Sequence, residues 1–205
     1  MLAVTKRRPT WLDAVSIPLT RPKTTGPSTT GTSTPRMPDR LTRKCVLALG
    51  SNLGHGSENI RAGLDQIRRL IGPITARSTT IVTEPLLHPD SPIRQQPPYH
   101  NMVAIVETSL EPLELLKACR DVEKSLGRDR SIETLRWQAR TLDIDIICIE
   151  DDVIDLPNLQ VPHPEMHKRA FVIDPMNEVW PTWRHPTLNK SVSQIARALR
   201  GTNHA

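Results

Sequence analysis

Residues 136 to 146 read RWQARTLDIDI and place two carboxylates, Asp143 and Asp145, two positions apart in an otherwise apolar run, TLDIDIICI. On a strand the side chains alternate, so both carboxylates face one way while Leu142, Ile144 and Ile146 face the other. Such a pair is ordinarily a solvated strand face. Here the continuation Ile146, Ile147, Cys148, Ile149 loses the alternation, which predicts a central strand buried on both faces. Charge at the mouth of a buried strand needs a counter-ion. Either the arginines nearby, Arg136 and Arg140, supply it, or a hard divalent cation does. Mg²⁺ takes one or two carboxylates and fills its remaining sites with water and substrate phosphate. Spacing alone does not choose between the two.

Arg128, Arg130, Arg136 and Arg140 fall within the 17 residues before Asp145, with Trp137 among them. Arginines dense beside a carboxylate pair suit a polyphosphate gripped by metal on one side and guanidinium forks on the other. A self-satisfied surface ion-pair network has the same composition. His163 lies between Pro162 and Pro164, in a rigid turn, with Arg169 six residues on. It is either an ordinary hydrogen-bonding residue or, with that arginine, a second phosphate contact. The common nucleotide signatures are missing: there is no G-x-x-x-x-G-K-[ST], and GSNLGHG is not G-x-G-x-x-G.

The elements that must position these groups are legible from Lys44 onward. KCVLALG predicts a short apolar strand, and SNLGHGSEN a turn with Ser57 as N-cap of a helix whose apolar face is Ile60, Leu64, Ile67 and Ile71. RSTTIVTE predicts a strand up to Glu84. Five prolines in residues 85 to 98 then mark a long stiff loop, of the kind that is usually functional. NMVAIVETSL is a further strand. Pro112 and Glu114 open a second helix with apolar positions Leu115, Cys119, Val122 and Leu126, closed by Gly127. After the aspartate strand come a turn and short edge strand in DDVIDLPN, a loop leading into a helical turn in VPHPEMHKRAF, and a last short helix in SVSQIARAL. The order strand, helix, strand, strand, helix, strand predicts an α+β fold, a ferredoxin-like βαββαβ core with added short strands and C-terminal helices.

Several short motifs recur here in a particular order: GSNLG after the first strand, TEPL at 83 to 86, Tyr99-x-Asn101, Glu123-x3-Gly127-Arg128, RW-x-x-RTLDIDI, and VPHP followed by Arg169-x-Phe171. The ordered set resembles the 6-hydroxymethyl-7,8-dihydropterin pyrophosphokinase family, which moves a pyrophosphoryl group from ATP to a pterin alcohol in folate biosynthesis, and it runs from about Val46 to Trp180. The resemblance implies that Asp143 and Asp145 hold two Mg²⁺ ions on the ATP phosphates and that Arg128 and Arg140 join them in catalysis. It implies that Glu123, Arg130, Trp137, Ile146, His163 and Arg169 contact the nucleotide, Trp137 from a loop that closes over the site. It implies a pterin pocket of Thr83, Leu86, Tyr99, Asn101 and Phe171. Glu84, Ala139 and Asn158 depart from the family pattern, and the segment from Arg130 to Arg136 is one residue longer than in some relatives.

Charge narrows the partners. Residues 1 to 43 carry eight basic side chains against two acidic ones, so of the net +5 the remaining 162 residues sum to −1. That argues against a nucleic-acid partner and against a two-metal nuclease, which needs a basic folded face. The segment 1 to 43, rich in Thr, Ser, Pro and Gly, lacks the periodicity to bury surface and is expected to be a disordered tail, with 44 to 205 forming one domain. No run reaches signal-peptide or membrane-span length. Cys45, Cys119 and Cys148 are odd in number, widely spaced and in apolar patterns, so they are expected as free thiols. A cytoplasmic monomer with ATP and a pterin as ligands and no membrane partner is the resulting expectation. A binding module with a structural ion is the alternative, though it has no need of two such loops around one acid pair.

Overall fold

The structure, a computed structural model, describes residues 41–86, 93, 95–128 and 138–202. β1 (Arg43–Ser51) lies between two antiparallel partners, β4 (Tyr99–Thr108) and β5 (Asp143–Ile149). β2 (Ile74–Arg77) and β3 (Ile81–Thr83) both pair with β4, giving the order β2-β4-β1-β5 with β3 beside β4. Alternation divides the side chains of this sheet between two layers. Cys45, Leu47, Leu49, Met102, Ala104 and Val106 face α1 (Gly56–Leu70) and α2 (Pro112–Ser125), while Val46, Val103 and Ile105 face α3 (Ala170–Val179) and α4 (Val192–Thr202). Leu47, Leu64, Ile67 and Leu115 are fully buried, each such side chain contributing about 1.5–3 kcal/mol of transfer free energy.

The expectation of a central aspartate strand is corrected, because β5 is the last strand of the sheet. It is nevertheless buried. Helices cover both faces, and the outer edge meets the segment after a small hairpin, β6 (Ile154–Leu156) and β7 (Leu159–Val161), where the N–H of His163 donates to the carbonyl of Ile147 at 2.8 Å. The lost alternation has a local cause. Leu47 pairs with Ile146 but Val46 with Cys148, so Ile147 is an extra residue in a bulge, and Ile147 and Cys148 both enter the α3–α4 layer.

Other sequence expectations meet the structure unevenly. The apolar faces of α1 and α2 pack as read, and the three cysteines are free and buried. Ser57 is not the N-cap of α1: His55 occupies that position, and the Ser57 hydroxyl instead pairs with Nδ1 of His100 at 3.0 Å. α2 starts on a capping box between Glu111 and Glu114 with Pro112 in the first turn, and Gly127 leaves it at φ +90°, where a side chain is strained. The strand expected in RSTTIVTE is shorter, β3 at 81–83, and β2 at 74–77 before it was not expected; between them Ser78 leaves the ladder, its hydroxyl accepting the N–H of Val103. The helical turn expected near Met166 is a 3₁₀ turn, Met166–Lys168, followed by a ten-residue α3. α3 tolerates the interior Pro175 because Val172, Ile173 and Met176 are buried against the sheet.

The expected tail, 1 to 43, lies outside the described residues except for its last three. Of those, Arg43 already belongs to β1 and pairs with Glu111 and Asp152.

Candidate active site

Three strand ends make a floor on the sheet face that α3 only partly covers. Register places Gly50 between Asn101 on β4 and Asp143 on β5, and Ala48 between Val103 and Asp145. The two smallest side chains therefore separate the amide from the acids. A Cβ at Gly50 would come within 3.2 Å of Asn101 Oδ1 and 3.7 Å of the Tyr99 ring, so glycine is what keeps the floor open. Above the floor, Arg169 caps the start of α3 and its guanidinium lies 5.9 Å from the centre of the Phe171 ring. Thr83, Leu86, Tyr99, Asn101 and Phe171 all line this one slot with Arg140, Asp143, Asp145 and Arg169. Asn101 is buried and its amide donates to the Thr83 hydroxyl at 2.8 Å, which fixes which way its oxygen points.

The acidic end is not symmetric. Asp143 accepts from Arg128 and, at 2.7 Å, from Nη1 of Arg140. Burial works to raise its pKa, but Arg140 and Arg128 outweigh that and hold the carboxyl below its ordinary range. Among the described residues Asp145 has one ion-pair partner, Arg169, at 3.8 Å. Desolvation, then the neighbouring charge of Asp143, push it up to about 7 although its side chain keeps 42 % exposure. Asp145 is thus the carboxylate with charge still to be neutralised. The donor set is oxygen only, which suits a hard cation such as Mg²⁺. No group of three or more His, Cys, Asp or Glu side chains gathers among the described residues.

Glu123 stands behind the acids. It is 1 % exposed and lines neither cavity; its Oε1 accepts from Arg128 at 2.8 Å and from the Ile144 N–H at 2.9 Å. It thereby ties α2 to β5 and holds Arg128 against Asp143. A second groove adjoins the slot, with Asp145 in both, and carries Ile146, Asn158 and His163. Nδ1 of His163 accepts the Glu165 N–H at 3.1 Å, so the neutral ring carries its proton on Nε2. Burial, reinforced by Arg169, lowers its pKa to about 4. Arg130 and Trp137 lie outside the described residues, as does Arg136. Of the departures from the family pattern, Glu84 lines the slot and Asn158 the groove.

Sequence reasoning missed the residues that join the loops. The Asn52 Oδ1 accepts the Arg140 N–H at 2.9 Å, its Nδ2 donates to Gln96 Oε1 at 2.9 Å and to the Pro97 carbonyl at 3.3 Å, and the Arg140 carbonyl accepts the N–H groups of Asn52 and Leu53. One buried amide so links the turn after β1, the end of the proline-rich loop and the arginine beside Asp143. The signal was the GSN triplet, legible only as a turn. Gly50, in the same triplet, and Gln96, in the proline-rich loop, also line the slot and were missed.

A slot of aromatic and amide groups that ends on two carboxylates and two guanidiniums, Arg140 and Arg169, is the layout of a group-transfer enzyme working on a phosphorylated donor. Comparison with known proteins agrees. Residues 46–181 match the model of the family described as 7,8-dihydro-6-hydroxymethylpterin-pyrophosphokinase (HPPK). The 2-amino-4-hydroxy-6-hydroxymethyldihydropteridine pyrophosphokinase of Pseudomonas aeruginosa is 40 % identical over 147 residues, 71 % of this chain and 86 % of that protein. The protein of that name from Haemophilus influenzae is 38 % identical over 135 residues, 65 % of this chain and 79 % of its own length. Among solved structures, Plasmodium falciparum HPPK-DHPS with pteroate superposes at a TM-score of 0.62 with 15 % identity, over 77 % of this chain and 42 % of that one, so this chain spans less than half of that protein and the likeness speaks for the fold. The chain belongs to the HPPK family, the pyrophosphokinases of folate biosynthesis.

Proposed function

We propose that this chain transfers the β,γ-pyrophosphoryl group of ATP to the hydroxymethyl oxygen of 6-hydroxymethyl-7,8-dihydropterin with Mg²⁺ on Asp143 and Asp145. The pterin oxygen bonds to the β-phosphorus, the bond from that phosphorus to the α-phosphate oxygen breaks, AMP leaves, and the hydroxyl proton is released. The observation that carries this reading is that Asp145 lines both the slot and the adjoining groove, so two ligands placed in them would meet at the acids. Thr83 and Asn101 offer the pterin an oriented amide, and Tyr99 and Phe171 offer ring faces. Arg140 and Arg169 present guanidiniums to the phosphates from the slot, Arg128 acts from behind by holding Asp143, and Nε2 of His163 donates from the groove. Glu123 acts through Arg128, as a positioning residue. A bound metal would supply charge neutralisation and a template for in-line transfer.

The strand order β2-β4-β1-β5, all antiparallel, with α1 and α2 on one face, supports a ferredoxin-like core with α3, α4 and the hairpin added. Three free buried thiols fit a reducing compartment such as the cytoplasm. No described helix is long and apolar enough to cross a membrane.

The test is nucleotide analysis after incubation with Mg²⁺, ATP and the pterin, with controls lacking pterin. Pterin-dependent AMP equal in amount to a pterin diphosphate is expected; ADP in its place, or nucleotide breakdown indifferent to pterin, rejects the reading. Gly50→Val fills the slot floor, and overpacking of about 1–3 kcal/mol translates into a KM for pterin raised roughly tenfold or more, with little change in the KM for ATP. Arg140→Lys keeps the charge but loses the planar fork, and kcat/KM is expected to fall roughly 10- to 100-fold, the scale of about 1.5–3 kcal/mol for a charged hydrogen bond. An unimpaired lysine variant would return Arg140 to a purely structural role. Removal of residues 1–40 should leave melting temperature and turnover within error of the full chain, since their composition offers no apolar face to dock; a clear drop in either contradicts this.

A further inference from the structure

The groove beside the slot has a charge problem that the residues assigned so far do not solve. Its walls are α2 on one side and the β6–β7 hairpin with the turn after it on the other. Two acids, Asp145 and Asp155, line it, and Asn158 at the hairpin turn is neutral. His163 spends Nδ1 on the Glu165 N–H and is a neutral donor. Among the described lining residues one full positive charge remains, Arg120 on α2. Its situation differs from that of the other site arginines. Arg128, Arg140 and Arg169 each hold a carboxylate of the site, whereas the Arg120 guanidinium makes no hydrogen bond or ion pair with any described residue. The neighbouring cation on the same helix, Lys117, is engaged with Asp121 at 2.6 Å.

We propose that Arg120 is a nucleotide-binding residue, the cation that meets a phosphate of the donor along the α2 wall of the groove. This rests on the assignment of that groove to ATP. An exposed arginine is ordinarily solvated surface, and what sets this one apart is its place: it shares one concave surface with Asp145, where the phosphates must end, and has no partner among the described residues. A guanidinium there offsets the repulsion that Asp145 and Asp155 exert on an entering polyanion. Its part is in binding, so its effect belongs to KM for ATP rather than to kcat.

The experiment compares wild type, Arg120→Gln and Arg120→Lys in steady-state kinetics, with calorimetric binding of Mg²⁺-α,β-methylene-ATP, which cannot be cleaved, as a readout free of turnover. Arg120→Gln is expected to raise KM for ATP and Kd for the analogue roughly tenfold, one charge-assisted contact, with kcat, pterin KM and melting temperature unchanged. Arg120→Lys should recover most of that loss. Unchanged nucleotide affinity in Arg120→Gln overturns the proposal, as does an equal fall in kcat, both affinities and stability, or a lysine variant no better than glutamine. If the functional reading itself were wrong, wild type would make no pterin-dependent AMP, an outcome separate from all of these.

Discussion

Asp145→Asn and Asp143→Asn are each expected to lower turnover by roughly a thousandfold or more, since charge neutralisation at transferring phosphates is worth several kcal/mol, yet to move stability in opposite directions. The side chains are isosteric, so packing is unchanged and charge decides. Asp143 accepts from Arg128 and Arg140; an amide there leaves two guanidiniums beside a weaker acceptor, and the melting temperature falls. Asp145 is held against desolvation and against Asp143. Its pKa of about 7 in the folded chain exceeds the unfolded value of about 3.9, so the folded state binds the extra proton in between. The stability this group contributes is present below the unfolded value and is lost as pH rises through about 7. Without metal, the Asp145→Asn melting temperature should therefore exceed wild type at pH 8 and vary less between pH 5 and 8. A variant that keeps near-wild-type turnover at saturating Mg²⁺ removes the metal assignment. A pH dependence as steep in Asp145→Asn as in wild type removes the electrostatic one.

Arg128→Met carries the largest expected loss of stability. Glu123 is 1 % exposed and the side chain of Arg128 4 %, and breaking a buried ion pair from one side costs about 3–5 kcal/mol because the remaining charge stays desolvated. The double variant Arg128→Met with Glu123→Gln should regain most of that, since glutamine is neutral and its oxygen can still accept the Ile144 N–H. Turnover should stay low in both, as the guanidinium against Asp143 is gone. Urea midpoints together with turnover separate the two roles. A double variant as unstable as Arg128→Met would show that the pair is not what holds α2 to β5.

Together these variants mark where local pattern ends. The apolar faces of α1 and α2, the strands around Val46 and Val103, and the shared face of Asp143 and Asp145 follow from periods of 3.6 and 2, which a chain segment carries by itself. The ordered motifs carried the family, and the slot gathers every residue the resemblance gave to the pterin. What needed the tertiary structure is what depends on distant partners. β5 reads as central because both faces are apolar, but its place at the sheet's end follows from pairing with β1 alone. Ser78 separates β2 from β3 and bonds to a residue 25 positions away, and Asn52 joins its loop to Arg140 over 88. Two aspartates equivalent by spacing become unequal because two arginines converge on Asp143 and leave Asp145 exposed to its charge. Side-chain period is a property of neighbours along the chain; register, charge pairing and desolvation are properties of neighbours through space, and those alone made the two acids unequal.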